Sequence, residues 1–368
     1  MIKAKYKLNF LDNIARFFNY LAAVCILISY LAPFSDPQYL WPIAFFGLAY
    51  PPFLLVNVLF MIYWCFRFKR YILISAISIA IGWSALLNNI GFHNTTPDVP
   101  KAAKSQIRLM AYNVHSFLSP QDEKVSTRHE ILQVIKDQQP DILTIEEYHT
   151  RNKGRSAVGD SLKKILNTNY LYYECFNGTP QDGGGLAIIS KYPITNTGVI
   201  KLTDDDTDTK SIFADVFVNG KTLRIYCVHL QSFRLNGQDH SYVDSAQNGK
   251  TSFSGSKRIG GKLKTGFVLR SNQVKMLKQH MALCQYPYLV AGDFNDTPSS
   301  YAVNQMAKGL KNAFREKARG MGRTYNGDIP NYQIDYIMAS PAFDIVNYTV
   351  IEKKPSDHYP IRSDVILR

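Results

Sequence analysis

The chain has 368 residues, with 42 Lys and Arg against 29 Asp and Glu, giving a net charge of +13. That is longer than one domain of roughly 100–200 residues, and the basic excess suits an anionic partner (nucleic acid, phospholipid or another phosphate ester) without choosing among them. The five cysteines form no CxxC pair and stand at unrelated spacings, so neither a zinc site nor a full disulfide framework is indicated.

Three long apolar stretches come first, from about Phe17 to Phe34, Leu40 to Phe66 and Tyr71 to Ile90, none with an internal charge. Each approaches the ~20 residues that a helix needs to cross a bilayer. Pro51 and Pro52 predict a kink in the second. The first is long for a signal peptide and no small-x-small cleavage site follows, which favours an uncleaved anchor. Lys3, Lys5, Lys7 and Arg16 precede the first stretch, and Arg67, Lys69 and Arg70 separate the second from the third, whereas the "SDPQ" turn between the first two has no cation. Positive residues favour the cytoplasmic side, so everything after Ile90 is expected outside it, in the periplasm or exterior of a bacterial-type inner or plasma membrane. Lys101, Lys104 and Arg108 oppose this, seven cations against three. The chain thus divides into a membrane anchor with three transmembrane helices over 1–92, a linker "HNTTPDVPKAAKSQ" over 93–106, and a soluble domain over 107–368.

From Ile107 on, short apolar strands ("IRLMAYNV", "DILTIEE", "GLAIIS", "TLRIYCVHL", "YLVAGDF", "QIDYIMA") alternate with polar turns, the pattern of an α/β or α+β domain. Helical spacing is evident over Thr127–Gln138 and about Arg270–Met281. Between Phe233 and Val268 the composition turns to Ser, Gly, Asn and Lys and predicts a long loop. Its cations Lys250, Lys257, Arg258, Lys262 and Lys264 would clamp an anionic substrate or rest on a phospholipid surface, unless the segment is a plain solvated insertion.

The strands share a habit of ending in polar groups. They deliver Asn113, then Glu146 and Glu147, then His229, then Asp293 and Asn295, then Asp335, and finally Asp357 and His358. Asn and Asp are ordinary turn residues, but six such strand ends in one domain are hard to assign to turns. Carboxylates and amide oxygens without thiolates are hard donors suited to Mg²⁺, with Mn²⁺ or Ca²⁺ as alternatives. Histidines beside carboxylates suit proton transfer, and the combination is what phosphoester hydrolysis asks for. Other motifs carry less. "NGKT" at 248–251 lacks the leading glycine of a P-loop, "RHEIL" lacks a second histidine, and "TDDDTDT" at 203–209 reads as a solvated acidic loop.

Together "YNV", "DILTIEE", "HLQS", "GDFND", "IDYI" and "SDHYPI" resemble the endonuclease/exonuclease/phosphatase superfamily, the deoxyribonuclease I-like fold, over Ile107–Arg368. The resemblance implies an α+β fold, a two-layer β-sandwich flanked by helices with its site at one end. It implies Glu147 as principal metal ligand with Asn113 beside it and Asp357 joining. Glu146 stands where the family often has Gln. Asp293 would hold or deprotonate the attacking water and Asn295 orient the phosphate. His358, steered by Asp335, would donate or accept a proton, and His229 would stabilise the transition state. The expected activity is metal-dependent phosphoester hydrolysis of nucleic acid or phospholipid or sphingolipid head groups, with a phosphodiester favoured over a phosphomonoester. A catalytically inactive, membrane-tethered binding module is the reading of another class. The bilayer and an anionic substrate are the expected partners, with no obligate protein partner.

Overall fold

The protein was described from a computed structural model, which covers residues 8–93, 101, 105–151, 158–203, 210–327 and 332–368. Lys3, Lys5 and Lys7, most of the 93–106 stretch and the acidic run at 204–209 lie outside the described residues.

The N-terminal part is helical: α1 (Phe10–Ser29), α2 (Pro37–Leu48), α3 (Tyr50–Phe66), α4 (Ile72–Ile81) and α5 (Trp83–Asn89). Helix α1 opens with a capping box, in which Asn9 Oδ1 accepts from Asp12 N and the Asp12 carboxylate accepts from Asn9 N. It therefore starts before Arg16 rather than at Phe17, and it ends at Ser29. Among the described residues, α1 alone is by itself long and apolar enough to cross a membrane. Two further spans are counted only if α2 with α3, bent by 46°, and 69–81 with α5, bent by 70°, each act as one. The first bend falls where Pro51 and Pro52 open α3. The second falls at Gly82, where a Cβ would lie 1.9 Å from the Tyr30 ring, so the close crossing needs glycine.

The rest is a sandwich. After β1 (Gly91–Phe92) come β2 (Ile107–Asn113), α6 (Arg128–Gln138), β3 (Ile142–Arg151), α7 (Val158–Leu166), β4 (Tyr170–Thr179) and β5 (Asp182–Ser190). Then follow β6 (Ile194–Lys201), β7 (Lys210–Val218), β8 (Lys221–His229), α8 (Gly237–Gln247), α9 (Phe253–Ala282), β9 (Tyr288–Asp293) and α10 (Tyr301–Ala307). The chain closes with β10 (Lys311–Asn312), α11 (Ala313–Lys317), β11 (Arg319–Gly320), β12 (Asp335–Ala339), β13 (Phe343–Ile345), β14 (Thr349–Val350) and β15 (Ile361–Leu367). One sheet runs β10-β12-β9-β8-β7-β6; the other runs β13-β15-β2-β3-β5-β4, with β14 on β15.

Period-two alternation splits each central strand between two cores. Leu109 and Ala111, Ile225 and Cys227, Leu289 and Ala291, and Ile337 and Ala339 face one another between the sheets. Met110, Leu143 and Ile145 instead meet α6 and α7 on one outer face, and Tyr226, Val228 and Val290 meet α9 and α10 on the other. The layers are helix, sheet, sheet, helix.

The expected loop at 233–268 is a correction: α8 and a 30-residue α9 occupy it. Ser252 caps α9 by accepting from Gly255 N, and Asp239 pairs with Arg258 and Lys262, tying α8 to α9. Two of the cations proposed as a substrate clamp are thereby held within the fold.

Candidate active site

The inward alternation explains why the strand ends converge. Counting by twos, Leu109 and Ala111 lead to Asn113, Ile225 and Cys227 to His229, Leu289 and Ala291 to Asp293, and Ala339 and Ile337 back to Asp335. The face that builds the inter-sheet core runs on by one more position into polar groups at its open end. Register then aligns them. Parallel pairing of β8 with β9 sets His229 opposite Asp293, and antiparallel pairing of β12 with β9 sets Asp335 there from the other side. Parallel pairing of β2 with β3 sets Asn113 opposite Glu146.

Glu146 obeys the alternation and is buried at 0% exposure, its Oε1 taking the Cys227 thiol at 3.2 Å. A register shift between Ile145 and Tyr148 follows, and Glu147, with φ 51°, turns to the mouth instead. Gly292, at φ 136°, brings the β9 backbone against Glu146. A Cβ there would lie 2.1 Å from the Val228 carbonyl and 2.8 Å from Glu146 Oε1.

Asn113 ties the mouth together. Its amide donates to Glu147 Oε1 at 3.1 Å and Asp293 Oδ2 at 3.2 Å, and its oxygen accepts from His115 N. Asn295, also left-handed, donates from its backbone to Asp293 Oδ1 and from its amide to Asp293 Oδ2 and the Leu230 carbonyl. His358 Nδ1 sits 3.0 Å from Asp335 Oδ2, with its Nε2 3.8 Å from Asp293 Oδ2. His229 Nε2 lies 3.7 Å from Asp293 Oδ2 and 3.8 Å from Glu147 Oε1. Asp357 accepts from Ser356 Oγ, which also donates to the Asn113 carbonyl. All eight residues read from the sequence as site members are thus drawn to one end of the sandwich.

One neighbour was missed. His115 Nδ1 lies 3.5 Å from Asp357 Oδ1 and 3.8 Å from Glu147 Oε2. It opens a run of three left-handed residues, His115, Ser116 and Phe117, at φ 45°, 55° and 61°. For L-residues that costs roughly 1–2 kcal/mol apiece. Phe117 repays part of it by packing on Tyr148 in the outer core. No periodicity in "YNVHS" announces such a turn.

Electrostatics divide the carboxyls. Burial pushes Glu146 up to about 8, helped by the nearby Asp335 charge. Burial also raises Asp293, to about 6, although the His358 charge opposes it. For Glu147 burial is outweighed by His229, the Asn113 amide and His358, and its pKa falls below the ordinary carboxyl value. His358 goes well above the usual imidazole value because Asp335 and Asp293 overcome its burial.

The donor set fits a divalent cation. Among the described residues Glu147, Asp293, Asp335 and Asp357 have imidazoles and no Lys or Arg as ion-pair partners. Four carboxyls against three histidines leave uncompensated negative charge of the hard-oxygen type. Among the described residues one trio brings donor atoms close enough to share an ion. Donor atoms of Asp293, Asp335 and His358 come within 4.8 Å of one another. Part of that closeness is the hydrogen bond His358 Nδ1 makes with Asp335.

A cleft of about 290 Å³ runs from Glu147 and His229 past Phe176, Asn177 and Ser232 to Lys210 and Arg234. A larger cavity of about 520 Å³ is lined by Asn88, His93 and Arg315 where α5 meets the domain, away from the strand-end residues.

Comparison with known proteins agrees with this fold. Residues 12–89 match a domain of unknown function, and residues 110–358 match the Endonuclease/Exonuclease/phosphatase family. No curated protein matches the chain. Among solved structures, an endonuclease/exonuclease/phosphatase from Beutenbergia cavernae is 19% identical over 72% of each chain, with a TM-score of 0.52. The human Nocturnin catalytic domain with bound sulfate is 19% identical over 75% of this chain and 100% of its own, at 0.52. A mannosyl-6-phosphatase from Bacteroides thetaiotaomicron is 14% identical over 71% and 100%, at 0.50. With its strand-end site and a family match across most of its length, the chain belongs to the endonuclease/exonuclease/phosphatase family.

Proposed function

We propose that the protein is a membrane-anchored, divalent-metal-dependent phosphodiesterase acting outside the cytoplasm on the head group of a membrane phospholipid or sphingolipid. The observation that carries the hydrolytic reading is the placing of Asp293 between His229 and His358, beside carboxyls that no Lys or Arg neutralises among the described residues. A bound ion, Mg²⁺ or Mn²⁺, would be held by Glu147, Asp357 and Asn113 and would neutralise charge on the phosphoryl oxygens. The chain's own residues supply the rest. Asp293, ionised above about pH 6, is a base for the attacking water, oriented by Asn295. His358, kept charged by Asp335, donates to the phosphoryl group, and His229 approaches the same oxygens from another strand. The presence of every one of these groups weighs against an inactive binding module.

Membrane residence is supported by an inside-out anchor. Phe10, Phe17, Phe18, Leu55 and Ile62 are exposed, while Asn19, Asn57 and Ser75 are buried. Inside the bundle Asn19 donates to Ser75 at 2.6 Å and accepts from Trp64 Nε1 at 2.9 Å. Apolar outside and polar inside is the arrangement for lipid, not water. The catalytic domain rests on the anchor through Asp36, which pairs with Lys275 and accepts from Ser271, and through Phe45, edge-on to Phe267. Gly47 packs on Ser299, six residues beyond Asp293.

The cleft favours a small substrate. Its cations are Lys210 and Arg234, whereas a nucleic-acid strand typically engages about 6–10 phosphates through as many Lys and Arg. The test is release of phosphate or head group by the full chain in nanodiscs, with Mg²⁺, Mn²⁺ and Ca²⁺, against phospholipid, sphingomyelin-like lipid, DNA, RNA and inositol phosphates. Lipid turnover that Glu147→Gln lowers at least ~100-fold is expected, since the change removes a charged ligand while nearly keeping its shape. DNA or RNA cleavage without lipid turnover would overturn the substrate, and turnover surviving both Glu147→Gln and a chelator would overturn the metal.

A further inference from the structure

We propose that the cavity where α5 meets α10 and α11 is a second, non-catalytic site, which takes the head group of an anionic phospholipid from the leaflet beside the catalytic domain. The inference rests on the reading that the N-terminal helices lie in a membrane.

The cavity holds about 520 Å³, within the roughly 300–1,000 Å³ usual for small-ligand sites. Its charge is unbalanced. Among the described residues Lys311, Arg315 and Lys317 line it against one carboxylate, Glu316. Lys311 is already engaged by the Phe343 carbonyl and Asp344. Arg315 meets neutral oxygens, Asn88 Oδ1 at 3.0 Å and Ser84 Oγ at 3.3 Å. Neither Arg315 nor Lys317 pairs with a carboxylate among the described residues. Both oxygens that hold the guanidinium belong to α5, so the last helix of the anchor fixes where this charge stands. Helix α5 departs by 70° from the helical segment before it. A helix turned so sharply off a spanning direction runs closer to the membrane plane, at head-group depth.

Aromatics mark the same level. Trp83, next to Ser84, and Phe92, next to His93 of the cavity wall, stack with centroids 6.5 Å apart and planes 9° apart. They are 57% and 61% exposed. Tryptophan is enriched at the head-group level of a bilayer, and cations at that level attract anionic lipid. A phosphate carried on acyl chains matches cations set beside apolar rings, whereas free phosphate would use the cations alone.

The probe is phosphatidylglycerol added to the full chain in detergent, with a chelator present so that no lipid is consumed. Retention is read by native mass spectrometry and folding by thermal melts, with phosphatidylcholine and inorganic phosphate in parallel. Arg315→Gln and Lys317→Gln should each weaken phosphatidylglycerol binding about fivefold, the worth of one basic residue at an anionic lipid surface. The double variant should lose about 25-fold. Arg315→Lys, which keeps the charge, should lose less, and Arg234→Gln in the catalytic cleft should bind as wild type. Because Lys317 makes no ion pair among the described residues, Lys317→Gln should melt as wild type without lipid, which separates binding from folding. Equal retention of phosphatidylcholine, equal binding of inorganic phosphate, an equal loss in Arg234→Gln or unchanged affinity in the double variant would overturn the site. A chain that stays monodisperse with neither detergent nor lipid would overturn the membrane reading and the site with it.

Discussion

At the residue scale, Glu146 lies wholly inside the sandwich, with Oε2 meeting no hydrogen-bond partner and burial raising its pKa to about 8. In the unfolded chain the same carboxyl titrates near 4.5. Between those values the folded state holds a proton that the unfolded state has released. Stability therefore falls as pH rises through the window and levels off above about 8. Glu146→Gln supplies the neutral shape permanently. In metal-free protein it should melt above wild type at pH 8, with a gain on the order of 4 kcal/mol at most, shrinking to near zero by about pH 4.5. A gap that does not vary with pH would mean that Glu146 is ionised. The same burial gives Asp293 its value of about 6, so turnover should rise as pH passes through about 6 and that limb should vanish in Asp293→Asn. For the histidines, His229→Ala and His358→Ala should each lower turnover by roughly 10²–10⁴-fold. Their double mutant should fall short of the product, because groups acting in one transition state are not additive. Asp335→Asn should resemble a milder His358 variant, since it mainly frees the ring that Asp335 orients. Near-wild-type turnover of His229→Ala with a lowered melting temperature would make that residue structural.

At the element scale, much of the site was legible because the signal was short-range. A strand whose inward positions run apolar, apolar, polar announces a polar group at a core's open end, and β2, β8, β9 and, read backwards, β12 all do so. What was illegible depended on long-range contacts. Helix α9 carries Gly255, Gly260, Gly261 and Gly266, and composition alone turned its N-terminal half into a loop. The helix persists because Arg258 and Lys262 close on Asp239, while Val274, Leu277 and Met281 bury against the sheet. The left-handed turn that aims His115 depends on Phe117 reaching a core built from α6 and β3, which no local pattern encodes. Arg270 shows what α9 does for the site. Fully buried, it donates to Asp296 at 2.9 Å and to the Gln231 carbonyl at 2.8 Å, joining the loops after β9 and β8. Arg270→Met should cost about 3–5 kcal/mol by leaving Asp296 buried and unpaired. Adding Asp296→Asn should restore part of the lost melting temperature. No recovery would show that Arg270 acts by packing on Phe233 and Phe267 instead.

At the scale of the whole molecule, the proposed membrane orientation rests on two turns of the N-terminal helices. Arg67, Lys69 and Arg70 lie at the α3–α4 turn, and Asp36, against α9, lies at the opposite turn. A reporter joined after Arg368 should therefore be active only outside the cytoplasm, and cytoplasmic activity would reverse the orientation. The same contacts bear on whether this protein can ever be shed. A fragment released by cutting within 93–106 would leave behind β1, the partner strand of β11, together with the helix that covers Phe267. Its flank would then present to water an aromatic that is 3% exposed in the intact chain. Such a fragment should self-associate on a sizing column where the detergent-solubilised parent stays monodisperse. Cleavage there would in that case yield an associating fragment rather than a free domain.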